Sequence, residues 1–341
     1  MPSEKQVEER KDNIHKILSY LRINGEASRR TLSSELNLSW GCISELTAIL
    51  ICNNILKEEK SQLEKAKGRQ PSVLKLNPDI CFLGIDINIM GLTGCVCNFL
   101  GEKIYTKKGI INCTSKSDFE TSIIGFTTDM LNTEYNILGI CFAMQGIYDK
   151  NDDCWDFPVK EVGRINFRES FKDTFEIPVI TEHDPDCILY GCLEKSDSSK
   201  MMVRLDKGIG VSVYKNGRFL KDEFFELGYL VMNEKGDTLK ELVSLEEIEK
   251  AEMNLNNAEF EDYLNRSSEY LGCALGNVCN LIRLDTIYIC GDIISKYKIV
   301  NDDFYKTFEK TAISKKTCIK TVEVTDGAYG AAKLAVDNFR L

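Results

Sequence analysis

The sequence predicts a small helix-rich head followed by a larger, layered α/β body, and three observations carry that prediction. Before Asn53 the apolar residues recur at helical spacing. From Cys81 they switch to alternating, β-branched runs. After Ser117 helical and strand patterns alternate, the signature of an α/β layer architecture. At 341 residues the chain exceeds one ordinary folding unit. The expected division is a head over 1–78, a first lobe over 79–190 and a second lobe over 191–341, whose last helix returns toward the first lobe.

In the head, NIHKILSYLRING places Ile14, Ile17, Leu18 and Leu21 on one helical face and stops at Gly25. Ser28 is the expected N-cap of a short second helix, with Leu32 and Leu36 facing inward. Asn37-Leu38 forms a tight turn, and Ser39 caps a third helix that buries Ile43, Leu46, Ile49 and Leu50. Three helices with a short turn between the last two match the helix-turn-helix plan. Two strands, Ile55–Glu58 and Ser72–Leu76, then flank a basic loop, which makes the head a winged helix-turn-helix.

That plan assigns duplex DNA as the partner and names the contacts. Trp40, Gly41, Ser44 and Glu45 stand at the start of the third helix, where side chains reach base edges. Ser28, Arg29, Arg30 and Ser39 flank the helix starts that meet phosphate. Lys65, Lys67 and Arg69 form the wing, suited to a minor groove. Charge agrees with this split. Residues 1–78 hold 13 Lys and Arg against 10 Asp and Glu, a net +3, whereas the rest holds 30 against 43, a net −13.

Other classes are excluded or disfavoured. No apolar run approaches a membrane span, and the opening MPSEKQVEERKDN is unlike a secretory signal. The 14 cysteines are scattered singly through apolar segments, as reduced, buried thiols in a cytoplasmic protein would be.

In the body, FLGIDINIMGLTGCVCNFLGEKIYTKKGI reads as a three-stranded meander. SDFETSIIGFTTDML is a helix, ILGICFAM a strand, NFRESFKDTF a helix and PVITEHD a strand. A long amphipathic helix follows near Phe260–Leu284, with Gly272, Ala274 and Gly276 marking close packing within the lobe or across a dimer interface.

Several stretches together resemble the ROK family (repressors, open reading frames, kinases), in its transcriptional-regulator branch. They are GEASRRTLSSELNLSWGCIS, GRQPSVLKLN, FEIPVITEHDPD, KGIGVSVYKNGRFL, YLGCALGNVCNLIRLDTIYICGD and DGAYGAAKLAV. The resemblance runs from about Ile14 to Ala335. It implies a two-lobed actin-like fold of the sugar kinase and ATPase type, in which an Asp removes a sugar hydroxyl proton and glycine turns admit ATP phosphates.

Against that pattern the chain departs at most functional positions. Asp184 stands at the base position, preceded by His183. The first phosphate loop, Asp-x-Gly in the kinases, is Asp86-Ile87-Asn88 here, and the Pro that precedes Gly146 in the family is Gln145. The second loop keeps Gly208-Ile209-Gly210 but begins Asp206-Lys207, and the adenosine-side Gly-Gly is Gly291-Asp292. The family's Glu-x-Gly-His is Glu226-Leu227-Gly228-Tyr229, so the His shared by zinc and sugar is Tyr. Thr238 stands at the last zinc Cys, Lys240 at a sugar-binding Glu, and no cysteine lies between Cys192 and Cys273.

The expected protein is thus a repressor-type regulator of sugar metabolism with a vestigial base at Asp184, no kinase activity, no metal and no cofactor. His183, Asp184, Glu226, Tyr229 and Lys240 are the expected effector contacts, with a sugar as the effector class. Such regulators act on palindromic operators, which implies a homodimer or tetramer. The alternatives are a sugar or amino-sugar kinase carrying a DNA-binding head, and a module that sequesters a phosphotransfer protein.

Overall fold

The computed structural model describes residues 4–60, 72–171, 174–193, 198–220, 226–322 and 326–339. They fall into two compact units, Met1–Glu182 with Ala331–Leu341, and His183–Gly330.

The first unit begins with α1 (Glu4–Asn24), β1 (Glu26–Ala27), α2 (Arg29–Glu35), α3 (Trp40–Cys52), β2 (Leu56–Lys60) and β3 (Ser72–Leu76). α1 stops where Gly25 takes φ +80 and donates its N–H to Leu21 O at 2.8 Å, a left-handed end that glycine adopts without strain. Ser28 Oγ accepts the Thr31 N–H at 3.1 Å, and Ser39 Oγ accepts the Cys42 N–H at 3.2 Å, so both expected caps form. Asn37, at φ 53, turns α2 into α3. Ile14, Ile17, Leu21, Leu32, Ile43 and Leu50 make the core of this head. Ile49, expected inside, is only half-buried, because it lies off the face defined by Ile43, Leu46 and Leu50. The strands form the sheet β1-β3-β2, a wing whose loop, 61–71, lies outside the described residues.

The rest of this unit comprises β4 (Ile80–Asn88), β5 (Gly91–Asn98), β6 (Lys103–Gly109), α4 (Lys116–Leu131), β7 (Asn136–Met144), β8 (Ile147–Asp149), β9 (Cys154–Asp156), β10 (Arg164–Ile165), α5 (Phe167–Phe171) and β11 (Val179–His183). Its main sheet runs β11-β7-β4-β5-β6, beside a small sheet β10-β9-β8. β4 is buried along nearly its whole length, so it reads as a continuous apolar run rather than an alternating one.

The second unit holds α6 (Asp184–Cys192), β12 (Lys200–Leu205), β13 (Ile209–Lys215), β14 (Arg218–Phe219), a 3₁₀ turn over Leu227–Tyr229, α7 (Leu239–Val243), α8 (Leu245–Asn254), α9 (Asn257–Leu281), β15 (Thr286–Cys290), α10 (Asp292–Lys296), α11 (Asp302–Thr311) and β16 (Cys318–Thr321). Its sheet runs β14-β13-β12-β15-β16.

The two five-stranded sheets repeat one plan. A central strand (β4 or β12) pairs antiparallel with the next (β5 or β13), which pairs antiparallel with a third (β6 or β14). On its other side the central strand pairs parallel with a strand reached through a helix (β7 or β15).

Within the second unit, α9 and α11 pack backbone to backbone. A Cβ at Gly272 would lie 2.4 Å from the Phe304 carbonyl oxygen, and one at Gly276 would lie 2.7 Å from Thr311 Cβ. The small residues of α9 therefore serve packing inside this unit. The last helix, α12 (Asp326–Asp337), begins in the second unit and ends in the first.

Candidate functional site

In the head, Arg30, Ser39, Trp40, Gly41, Ser44 and Glu45 are exposed together at the starts of α2 and α3, and Trp40 is 58% exposed. Arg29 has a different setting. Its Nη1 and Nη2 donate to the two Glu58 oxygens at 2.5 and 3.0 Å, and its Nε donates to Thr47 Oγ1 at 2.9 Å. One guanidinium thus ties α2 to α3 and β2. The Arg29 hydrogen bonds hold the Glu58 carboxyl at about 2, well below the ordinary carboxylate range. Ser28 is half-buried and spent on its cap. Lys65, Lys67 and Arg69 lie outside the described residues.

The second candidate site lies in the unit His183–Gly330. Asp184 opens α6 and is 2% exposed. Its Oδ2 accepts a short hydrogen bond from Arg204 Nη1, and its Oδ1 lies 3.6 Å from His183 Nε2. The same guanidinium donates from Nε to Asp206 Oδ2 at 2.6 Å, and Asp206 Oδ1 accepts the Asp292 N–H at 2.7 Å. Two carboxylates and one guanidinium stand in a row, with Asp184 and Arg204 buried and Asp206 partly so. Burial pushes the Asp184 carboxyl up to about 6, Arg204 opposes that shift, and the Asp206 charge adds to it.

The remaining expected effector residues gather beside this row. A Cβ at Gly210 would meet Pro185 Cγ at 3.0 Å, and one at Gly228 would meet Ile209 Cβ at 3.6 Å and Lys240 Cβ at 3.5 Å. Contacts therefore pass from the start of α6, through β13, to the 3₁₀ turn and α7. Glu226, Tyr229 and Lys240 are exposed there, Tyr229 at 68%, and His183 is half-exposed.

The positions implied for zinc do not fit a zinc ion. Val231 bridges Thr238, the Met232 N–H donates to Asp237 O at 2.8 Å, and the Leu239 N–H donates to Leu230 O at 2.8 Å. Thr238 is the N-cap of α7 in a reciprocal pair with Glu241. The residues at those places are a phenol and a hydroxyl, neither of them a thiolate or imidazole. No cluster of three His, Cys, Asp or Glu able to hold a metal occurs among the described residues.

The turn that corresponds to the first phosphate loop has backbone donors committed to the chain's own side chains. At the end of β4, the Ile89 N–H donates to Gln145 Oε1 at 3.0 Å and the Met90 N–H to Asn88 Oδ1 at 2.9 Å. At the adenosine-side position in the second unit, the Asp292 N–H is the one taken by Asp206. Sequence reasoning marked Gln145, Asn88 and Asp206 as departures from a pattern without seeing what they bind. It missed Arg204, which nothing but its charge within the apolar run KMMVRL distinguishes.

A winged helix-turn-helix head joined to a sugar-kinase-like body defines the class of this architecture, and the comparisons agree with it. The chain is 21% identical to the xylose repressor of Bacillus subtilis (strain 168), covering 97% of this chain and 96% of that protein. It is 22% identical to the xylose repressor of Bacillus spizizenii, covering 85% of each. No family profile matches it. A ROK-family transcriptional regulator homologous to the Escherichia coli MLC protein superposes with TM-score 0.78 at 17% identity over 96% of each chain. A ROK glucokinase from Streptomyces griseus, solved with glucose and AMPPNP, superposes with TM-score 0.63 at 14% identity. That kinase is covered over 99% of its length but matches only 75% of this chain. The fold is that of a ROK-family transcriptional regulator, as the sequence motifs imply.

Proposed function

We propose that this chain is a sugar-responsive transcriptional repressor whose body has kept the kinase architecture and given up kinase chemistry. The alignment of the whole chain, head included, with xylose repressors carries this reading. The exposed starts of α2 and α3, led by Trp40, Ser44 and Arg30, read one operator half-site, while the wing lies along the neighbouring groove. A single head covers too little DNA for tight specific binding, so the chain acts as a homodimer or larger assembly in the cytoplasm. A pentose or related sugar engaging His183, Glu226, Tyr229 and Lys240 shifts the population away from the DNA-binding state.

The buried Arg204 pair supports the loss of catalysis. A base must reach the proton it abstracts, and Asp184 is instead closed against a guanidinium. Side chains already occupy backbone donors that a phosphate would need.

The test is selection of duplexes from a random-sequence pool by the full-length chain, followed by mobility shift with a panel of pentoses and hexoses. A selected symmetric site that is released by one sugar class is the expected result. Failure to enrich any sequence would overturn the reading. Coupled assays with ATP over the same sugars should show no turnover, and turnover abolished by Asp184→Asn would establish the kinase alternative instead.

A further inference from the structure

We infer that α6 and α12 form a mechanical route from the Asp184 site to the DNA-binding head, closed at its far end by the ion pair Arg22–Asp337. As a path for an effector signal it rests on the proposed repressor function.

The route starts at the buried row described above. Asp184 is the first residue of α6, so its bond to Arg204 fixes where that helix begins. Further along α6, the backbone meets α12 with nothing between them. A Cβ at Gly330 would lie 1.6 Å from the Cys187 carbonyl oxygen and 2.9 Å from the Gly191 nitrogen. Side chains can absorb a small shift by changing rotamer, whereas two backbones in direct contact cannot. A displacement of α6 must therefore be carried by α12.

α12 continues from Gly330 into the unit that contains the head. There its end is held twice. Phe339 packs against Phe82 and Phe99, with ring centroids 5.4 and 5.8 Å apart, and Phe82 and Phe99 are themselves 4.9 Å apart. Asp337 pairs with Arg22, in the last turn of α1, beside a crevice lined by Leu18, Phe99 and Val336. α1 supplies Ile14, Ile17 and Leu21 to the core on which α2 and α3 rest. Such a half-buried pair, only partly screened by water, contributes to stability wherever it stands. Its position, the point where the body's last helix grips the head's first, gives it a different use.

The experiment reads backbone amide exchange in α1 of the full-length chain, without DNA or sugar, so its outcome is independent of the proposed function. Asp184→Asn perturbs the start of the route. In the wild-type background it should change exchange across Leu18–Asn24 by about threefold or more. In an Asp337→Asn background that response should vanish, and the exchanged pair Arg22→Asp with Asp337→Arg should restore it. If Asp184→Asn does not fold, Arg204→Lys supplies the perturbation at the same point. Unchanged α1 exchange on perturbing Asp184 or Arg204, or an equal response with Asp337 replaced, would overturn the route.

Discussion

Two arginines in this molecule each bridge two partners, in opposite surroundings. Arg29 spans Glu58 and Thr47 near the surface of the head, and Arg204 spans Asp184 and Asp206 inside the second unit. In the head the surrounding water screens the pair, so Glu58 is simply held ionised. In the second unit desolvation dominates, and Asp184 is pushed up in spite of its cationic neighbour. A guanidinium that bridges two partners is a brace in one place and part of a costly buried charge set in the other. The cost in the second case points to a role beyond stability, since well-packed apolar side chains would hold the strands more cheaply.

The largest expected effect breaks the buried member of the comparison. Arg204→Met leaves Asp184 and Asp206 facing one another without a cation, and should lower unfolding free energy by about 3–5 kcal/mol. Urea denaturation measures it; a loss under about 1 kcal/mol would mean that the two carboxylates find other partners. The second effect is a pH dependence. With Asp184 raised from 3.8 to about 6, the folded chain holds a proton that the unfolded chain has released in the window between. This group's contribution to stability falls as pH rises through that window and is level above it. Asp184→Asn removes the titration, so the variant should gain on wild type between about pH 4 and about pH 7. Parallel stability curves for the two chains would refute the assignment.

Smaller effects sharpen the exposed member. Arg29→Ala should cost about 1 kcal/mol and weaken DNA binding by loosening α3. Arg30→Ala should change stability by less than about 0.5 kcal/mol and lower the salt dependence of DNA binding by about one phosphate contact. Equal effects of both substitutions on stability would erase the distinction drawn between brace and contact.

Much of the head was legible because its signals are local. Ser28 and Ser39 cap helices they immediately precede, and Ile14, Ile17 and Leu21 mark one face of one helix. The body was read as alternating strands, yet β4 is buried along nearly its whole length and carries no alternation, and the strand order was not legible from periodicity. Asp184 and Glu226 were legible as family positions. Arg204 was not, because its value comes from meeting residues 20 and 2 positions away only after α6 packs on β12. Gly330 was equally silent in the sequence, its meaning residing wholly in how closely the Cys187 backbone approaches it.

The Phe82–Phe99–Phe339 cluster also bears on how the chain is made. Two of its rings precede residues 183–330 in the chain and the third follows them, so the third is added only after all of 183–330 has been synthesised. Until Phe339 arrives, the unit carrying the helix-turn-helix head presents an open apolar seat to the nascent chain's surroundings. Its completion is thus timed by the other unit's synthesis, and a chain that stalls before α12 would be left with that seat unfilled and prone to association.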